Sequence, residues 1–332
     1  GDVFRYDAKE LFVDYASRCD DKEKIADIIL KANQKDNYGI RDTLIDCAGE
    51  CLPEAVIRTM ISTLQKWADK EINEYEKRHH LRSIESLASQ IKDAKLFEKT
   101  RIASWGKLST AAFIDIAQVY LDSGEVETAH SWLKKIPEDE TYQEYERDKL
   151  LVEIYKKQGN TEKLSELLYQ KFNSYPSTNT LQALLDVIGH DKRDEVVADK
   201  VTQILDSTRL RESDAQFLIS IGKIDEAEEY LLMLADQLNG DYYGTLLSLA
   251  EVMESENRHL AASLIYRSLL LSILERGYAK AYHHGIRYLK KLDKLALTVS
   301  DWKEFNQHEA FKDQIYQNHR RKRSFWSRYE DI

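Results

Sequence analysis

One spacing constrains this chain more than any other: a large apolar residue, then glycine four positions on, a small or aliphatic residue five further, and an aliphatic residue four beyond that. It occurs at Tyr120, Gly124, Ala129 and Leu133, at Tyr155, Gly159, Leu164 and Leu168, and at Leu218, Gly222, Ala227 and Leu231. Two further copies keep the apolar positions and lose the glycine: Ile188, Lys192, Val197, Val201, and Val252, Glu256, Ala261, Ile265. Their starts lie 35, 33, 30 and 34 residues apart, close to the tetratricopeptide period of about 34.

The spacing encodes a pair of antiparallel helices. The large residue closes the first helix, glycine adopts the left-handed conformation that ends it, and the small residue lets the second helix cross close behind. The turn texts DSGEVETA, KQGNTEKL and SIGKIDEA each set a polar residue after the glycine, where a following N-cap is wanted. One hairpin cannot bury both its faces, so stacked neighbours must supply the core. Only 12 glycines and 3 prolines stand in 332 residues, too few for the turns of an all-β chain. The expected fold is therefore all-α: a tetratricopeptide-like helical-hairpin solenoid, a right-handed superhelix, over residues 105–276. An irregular helical leader (1–104) precedes it and a basic C-terminal helical cap (277–332) follows, as one continuous solenoid.

Within the leader, residues 7–19, 23–33 and 38–50 read as short amphipathic helices. Pro53 opens a long one whose apolar positions fade into EYEKRHH, a solvated face or a turn. Downstream, HLAASLIYRSLLLSIL (259–274) is apolar on nearly every side, which suits a helix wrapped by neighbours. A last helix from about Glu309 to Tyr329 offers Phe311, Ile315, Phe325 and Trp326 for docking. No run approaches the length of a membrane span, and the first residues lack the basic and apolar regions of a signal peptide. The expectation is a soluble, cytoplasmic protein with no membrane partner. Gly1 in place of an initiator methionine leads to the further expectation that residues are missing upstream.

The C-terminal third, DYYGTLLSLAEVMESENRHLAASLIYRSLLLSILERGYAKAYHHGIRYLKKLD and then HEAFKDQIYQNHRRKRSFWSRYE, resembles a bacterial family of uncharacterised proteins that carries a domain-of-unknown-function label. Its tyrosine-rich AYHHGIRYLKKL and basic HRRKRSFW segments are also similar to the region that follows the zinc finger in some SWIM-type bacterial proteins. The resemblance covers roughly residues 240–330 and implies a tetratricopeptide-like α-solenoid with no established activity and no cofactor. The cysteine and histidine signature of the SWIM finger is absent, so zinc and nucleic-acid expectations do not carry over.

Candidate chemistry is sparse. Cys47 and Cys51 could share a helix face with Cys19 nearby, but no further ligand completes a metal site, and buried small hydrophobes are the reading taken. The pairs His79–His80 and His283–His284 cannot chelate one ion from one helix face, because adjacent residues point about 100° apart. Acidic neighbours such as Glu138 and Glu140, or Glu226 and Glu229, fall on turns or exposed faces. No nucleophile elbow is present. The expectation is a protein that is no enzyme, with no catalytic, cofactor or metal residues.

Charge is the more informative feature. Residues 277–332 hold 12 Lys and Arg against 7 Asp and Glu, a net of +5, so the −10 total leaves −15 on residues 1–276. The function expected is that of a protein-interaction scaffold whose concave face, around Tyr120, Tyr155 and Leu218, receives a peptide or partner surface. A polar cluster of Tyr282, His283, Arg287 and Tyr288 would face a groove. The alternative is a nucleic-acid-associated protein working through Arg320, Arg321, Lys322 and Arg323, with Phe325 and Trp326 available for stacking.

Overall fold

A computed structural model describes residues 9–34, 42–137 and 139–330. Glu138, of the acidic pair considered above, and residues 7, 8 and 38–41 of the expected leader helices lie outside them. Among the described residues there are twenty α-helices and no strand, and no helix is long and apolar enough to cross a membrane. The contacts divide the chain into two compact units, 1–164 and 165–332, a division made by packing and different from the three segments marked out by repeat phase.

The first unit contains α1 (Lys9–Arg18), α2 (Lys22–Gln34), α3 (Asp42–Asp46), α4 (Ala48–Cys51), α5 (Glu54–Lys70), α6 (Glu74–Gln90), α7 (Ala94–Trp105), α8 (Thr110–Asp122), α9 (Val126–Leu133) and α10 (Glu144–Gln158). The helix α11 (Thr161–Ser174) runs across the division. The long helix expected after Pro53 is two helices, because Asn73 takes over as an N-cap: its side-chain oxygen accepts from the backbone N–H of Tyr75 at 2.9 Å. Ile72 and Tyr75 are exposed at that break, while His80 turns inward against Trp67. Cys47 and Cys51 are core residues, and burial pushes the Cys47 thiol up to about 11.

The second unit contains α12 (Thr178–Ile188), α13 (Arg193–Leu205), α14 (Glu212–Ser220), α15 (Ile224–Met233), α16 (Tyr243–Ser255), α17 (His259–Arg276), α18 (Tyr282–Ala296), α19 (His308–His319) and α20 (Arg323–Glu330). Its centre is α17, which buries residues on all sides and packs against α15, α16, α18 and α19. That environment is what its all-round apolar text requires.

The hairpin turn is real and recurs more widely than the glycines show. After α8, the N–H of Glu125 donates to the Tyr120 carbonyl (2.9 Å) and that of Gly124 to Leu121 (3.1 Å), with Gly124 at φ +88°. This is the double-bonded Schellman stop. The same two bonds close α10 at Tyr155 and α14 at Leu218. They also close α6, where Asp93 N–H reaches Ala88 (2.9 Å) and Lys92 sits at φ +56°, and α16, where Arg258 N–H reaches Met253 (2.7 Å) and Asn257 sits at φ +61°. The last copy is thus one residue out of the expected register: Met253, Asn257, Ala262 and Tyr266 carry it, all three apolar members fully buried. The copy expected at Ile188–Lys192 is built differently. Gly189 at φ +105° ends α12, and a single 3₁₀ turn, His190–Lys192, leads into α13.

Candidate functional site

The residues proposed for a concave binding face are largely core. Tyr120 is 4% exposed and donates its hydroxyl to Glu98 at 2.5 Å; burial and that carboxylate push the phenol upward. Leu218 is fully buried. Tyr155 is half-buried, edge-on to His130. These positions close the first helix of each hairpin against its own second helix, so packing consumes the side chains that were expected to meet a partner. Tyr120 and Leu218 are thus core side chains rather than an open surface.

The C-terminal basic cluster also differs from its expected setting. The single last helix is two, and HRRKR occupies the bend between α19 and α20. Arg320, Arg321 and Arg323 are exposed and Lys322 is half-buried. The aromatics beside them are not free to stack on bases. Phe325 is fully buried with its ring edge-on to Tyr282, at 5.5 Å between centroids, and Trp326 donates its indole N–H to the His319 carbonyl at 3.0 Å. Tyr282 is therefore part of this docking contact and not of a groove.

Asp293 fastens the same end. Its Oδ1 accepts from His308 Nε2 (2.8 Å) and Lys312 Nζ (2.9 Å), and its Oδ2 from the Tyr329 hydroxyl (2.6 Å). Burial pushes this carboxyl up, but the bonds from Tyr329, His308 and Lys312 outweigh it and hold it below the usual range. One side chain on α18 thus ties down α19 and α20. A second junction, Glu254 with Tyr266 and Lys291, joins α16, α17 and α18.

What remains open lies around the start of α16 and the two ends of the turn between α17 and α18. A cavity of about 390 Å³ is lined there by Tyr243, Leu247, Ile273, Tyr278, Arg276 and Arg287, with Tyr288 and His284 also on its wall. Tyr243 and Tyr278, which line it, are exposed. The loop that bounds it presses so closely on α17 that a Cβ on Gly240 would stand 2.2 Å from the Ser268 carbonyl oxygen, so only glycine fits. Asp241 accepts from Ser272 Oγ (2.6 Å) and faces Arg276 Nε at 3.5 Å, which fixes the loop and offsets that arginine's charge. Arg287 has no carboxylate within ion-pair distance among the described residues and lies over the Tyr288 ring at 5.6 Å. His284 stacks on His283 at 3.9 Å, and burial, His283 and Arg287 pull it below the usual imidazole range, so it is neutral at pH 7. His283 itself points away, with Nδ1 at 2.9 Å from the Lys280 carbonyl.

Of the expected cluster, the structure thus brings Arg287 and Tyr288 to a cavity, with His283 beside it. It adds Tyr243, Tyr278 and Arg276, which sequence reasoning passed over. Their signal was present in DYYG and ERGYA, tyrosines at helix ends beside the apolar segment. In the first unit, a groove of about 540 Å³ has an ion-pair network on its wall. Arg101 pairs with both Glu85 (2.8 Å) and Asp115 (3.1 Å), and Ser104 donates to Glu85 (2.8 Å).

Residues 107–328 match the model of a protein family described as a family of unknown function, DUF6880. No curated protein and no solved structure matches the chain.

Proposed function

We propose that this chain, which belongs to the DUF6880 family, is a binding module of tetratricopeptide-like helical hairpins that takes an acidic, apolar-studded peptide segment of a partner protein. The five Schellman stops support the repeat reading. The observation that carries the binding reading is the cavity bounded by Tyr243, Tyr278, Arg276 and Arg287. Tyrosine and arginine supply the large, amphipathic contacts that dominate protein interfaces. Its wall is mostly apolar, so a leucine-sized side chain can enter. Its charge is positive once Arg276 is offset by Asp241, because Arg287 stands unpaired, so the backbone around that side chain should be acidic.

The test is fluorescence anisotropy with a labelled peptide of alternating glutamate and leucine, against one in which lysine replaces glutamate. The acidic peptide is expected to bind and the lysine peptide not. Arg287→Ala should weaken binding roughly tenfold, about 1.4 kcal/mol, and a Tyr243→Ala, Tyr278→Ala double variant should abolish it. Equal binding of both peptides, or acidic binding untouched by these variants, would sink the reading. The nucleic-acid alternative, through the exposed Arg320, Arg321 and Arg323, predicts instead a steep loss of duplex affinity with salt.

A further inference from the structure

Arg267, in the middle of α17, is 6% exposed. Its Nη1 donates to the Asn306 carbonyl at 2.8 Å. The guanidinium lies between two rings, 4.4 Å from the Trp302 centroid and 4.6 Å from that of Phe311. Its other two nitrogens, Nε and Nη2, are buried and have no hydrogen-bond partner. No carboxylate stands within ion-pair distance of it among the described residues. Burial draws the group down to about 10, so it is still a cation at neutral pH.

Buried cations are ordinarily paired, and an unpaired one costs stability that an apolar side chain of the same size would not. Nε–H and Nη2–H form one edge of the planar guanidinium, and such an edge matches the two oxygens of a carboxylate. Arg267 also lines a cavity of about 700 Å³, whose wall includes Asn239, Asp241, Ser268, Glu275 and Arg276. Contact with the Trp302 and Phe311 rings and the bond to Asn306 restrict the guanidinium, so its unpaired edge is largely preorganised.

We propose that this cavity is a binding site for a single carboxylate, received on the Nε–Nη2 edge of Arg267. A phosphate is a poorer match. Asp236, Asp241 and Glu275 on the same wall outnumber Arg267 and Arg276, so the wall has no positive excess to offer: a monoanion is held by the fork of Arg267 against a modest repulsion, and a dianion meets about twice that repulsion. The carboxylate belongs either to a free organic acid or to the C-terminus of a polypeptide, which present the same group. The site stands apart from the peptide reading above: it draws on a different arginine and asks for a different group, and Arg287→Ala should leave it intact.

The experiment is calorimetric titration of the full chain with two matched pairs: hippurate against hippuramide, and Gly-Gly-Phe against its C-terminal amide. At least one acid is expected to bind, with its amide at least tenfold weaker. Hippurate binding identifies a free acid as the source, and binding of the tripeptide acid alone identifies a chain end. Arg267→Lys keeps the charge and removes the fork, and should weaken the acid at least tenfold. Arg267→Met should abolish binding while its unfolding midpoint stays at or above that of the parent. The proposal is overturned if neither acid binds at 10 mM, if acid and amide bind alike, if inorganic phosphate binds more tightly than both acids, or if Arg267→Lys binds as the parent does.

Discussion

At two of the five Schellman stops the left-handed position is held by a residue with a Cβ, Lys92 at φ +56° and Asn257 at φ +61°. An L side chain there costs about 1–2 kcal/mol relative to glycine, less for asparagine. Lys92→Gly is therefore expected to stabilise the first unit by about 1 kcal/mol, and Gly222→Ala to destabilise the second by a similar amount. In the latter case nothing lies within 4 Å of an added Cβ, so the cost is purely conformational. Urea unfolding checks both; an unchanged Lys92→Gly would mean that the turn is not under the strain its φ indicates. The same residues explain what could be read in the sequence. Gly124, Gly159 and Gly222 announced their turns because glycine is the usual occupant. The stop at Lys92 was hidden: its closing residue is the small Ala88 and the large Phe97 follows, the reverse of the size order elsewhere. The copy in α16 and α17 was placed one residue early because α17 is apolar almost all round, so a shifted register still meets apolar residues.

Among the elements, α19 and α20 are the least self-sufficient. They are short and their docking rests on Phe311, Ile315, Phe325, Trp326 and the Asp293 junction. Asp293→Asn removes the charge that three donors share and should cost about 1–3 kcal/mol. The wild-type carboxyl titrates lower in the fold than its ordinary 3.8. Its stabilisation is therefore complete above that value and is lost as pH falls below it, through the folded value. Hydrogen exchange in α20 should accelerate below about pH 4 before α17 is affected, and Asp293→Asn should show fast exchange at every pH. Uniform acceleration of α17 and α20 together would contradict a local role. Gly240→Ala bears on the loop against α17: its Cβ would meet backbone, and overpacking of this kind costs about 1–3 kcal/mol. The aromatic docking of the last segment was visible in the spacing of Phe311, Ile315 and Phe325. The Asp293 junction was not, because its partners lie 15, 19 and 36 residues away and no local pattern marks them.

For the molecule as a whole, charge and cavity pull the functional argument into the unit of residues 165–332. The basic excess of residues 277–332 divides there into three fates. Lys312 and Lys291 are spent on Asp293 and Glu254, Arg320, Arg321 and Arg323 remain on the surface, and Arg287 faces the tyrosine-rimmed cavity. The charge asymmetry of the sequence pointed to this end of the chain, whereas the repeat pattern pointed to Tyr120, Tyr155 and Leu218 as contacts, since such a pattern reports which residues are large and not which face they turn to solvent. On the proposed function, the open face beside α16, α17 and α18 is where this protein meets its partner. Hydrogen exchange over the full chain, with and without the glutamate–leucine peptide, decides whether it does. Protection is expected at residues 240–247 and 276–288 and nowhere in 82–119. Protection centred on 319–323 with those segments unchanged would contradict it.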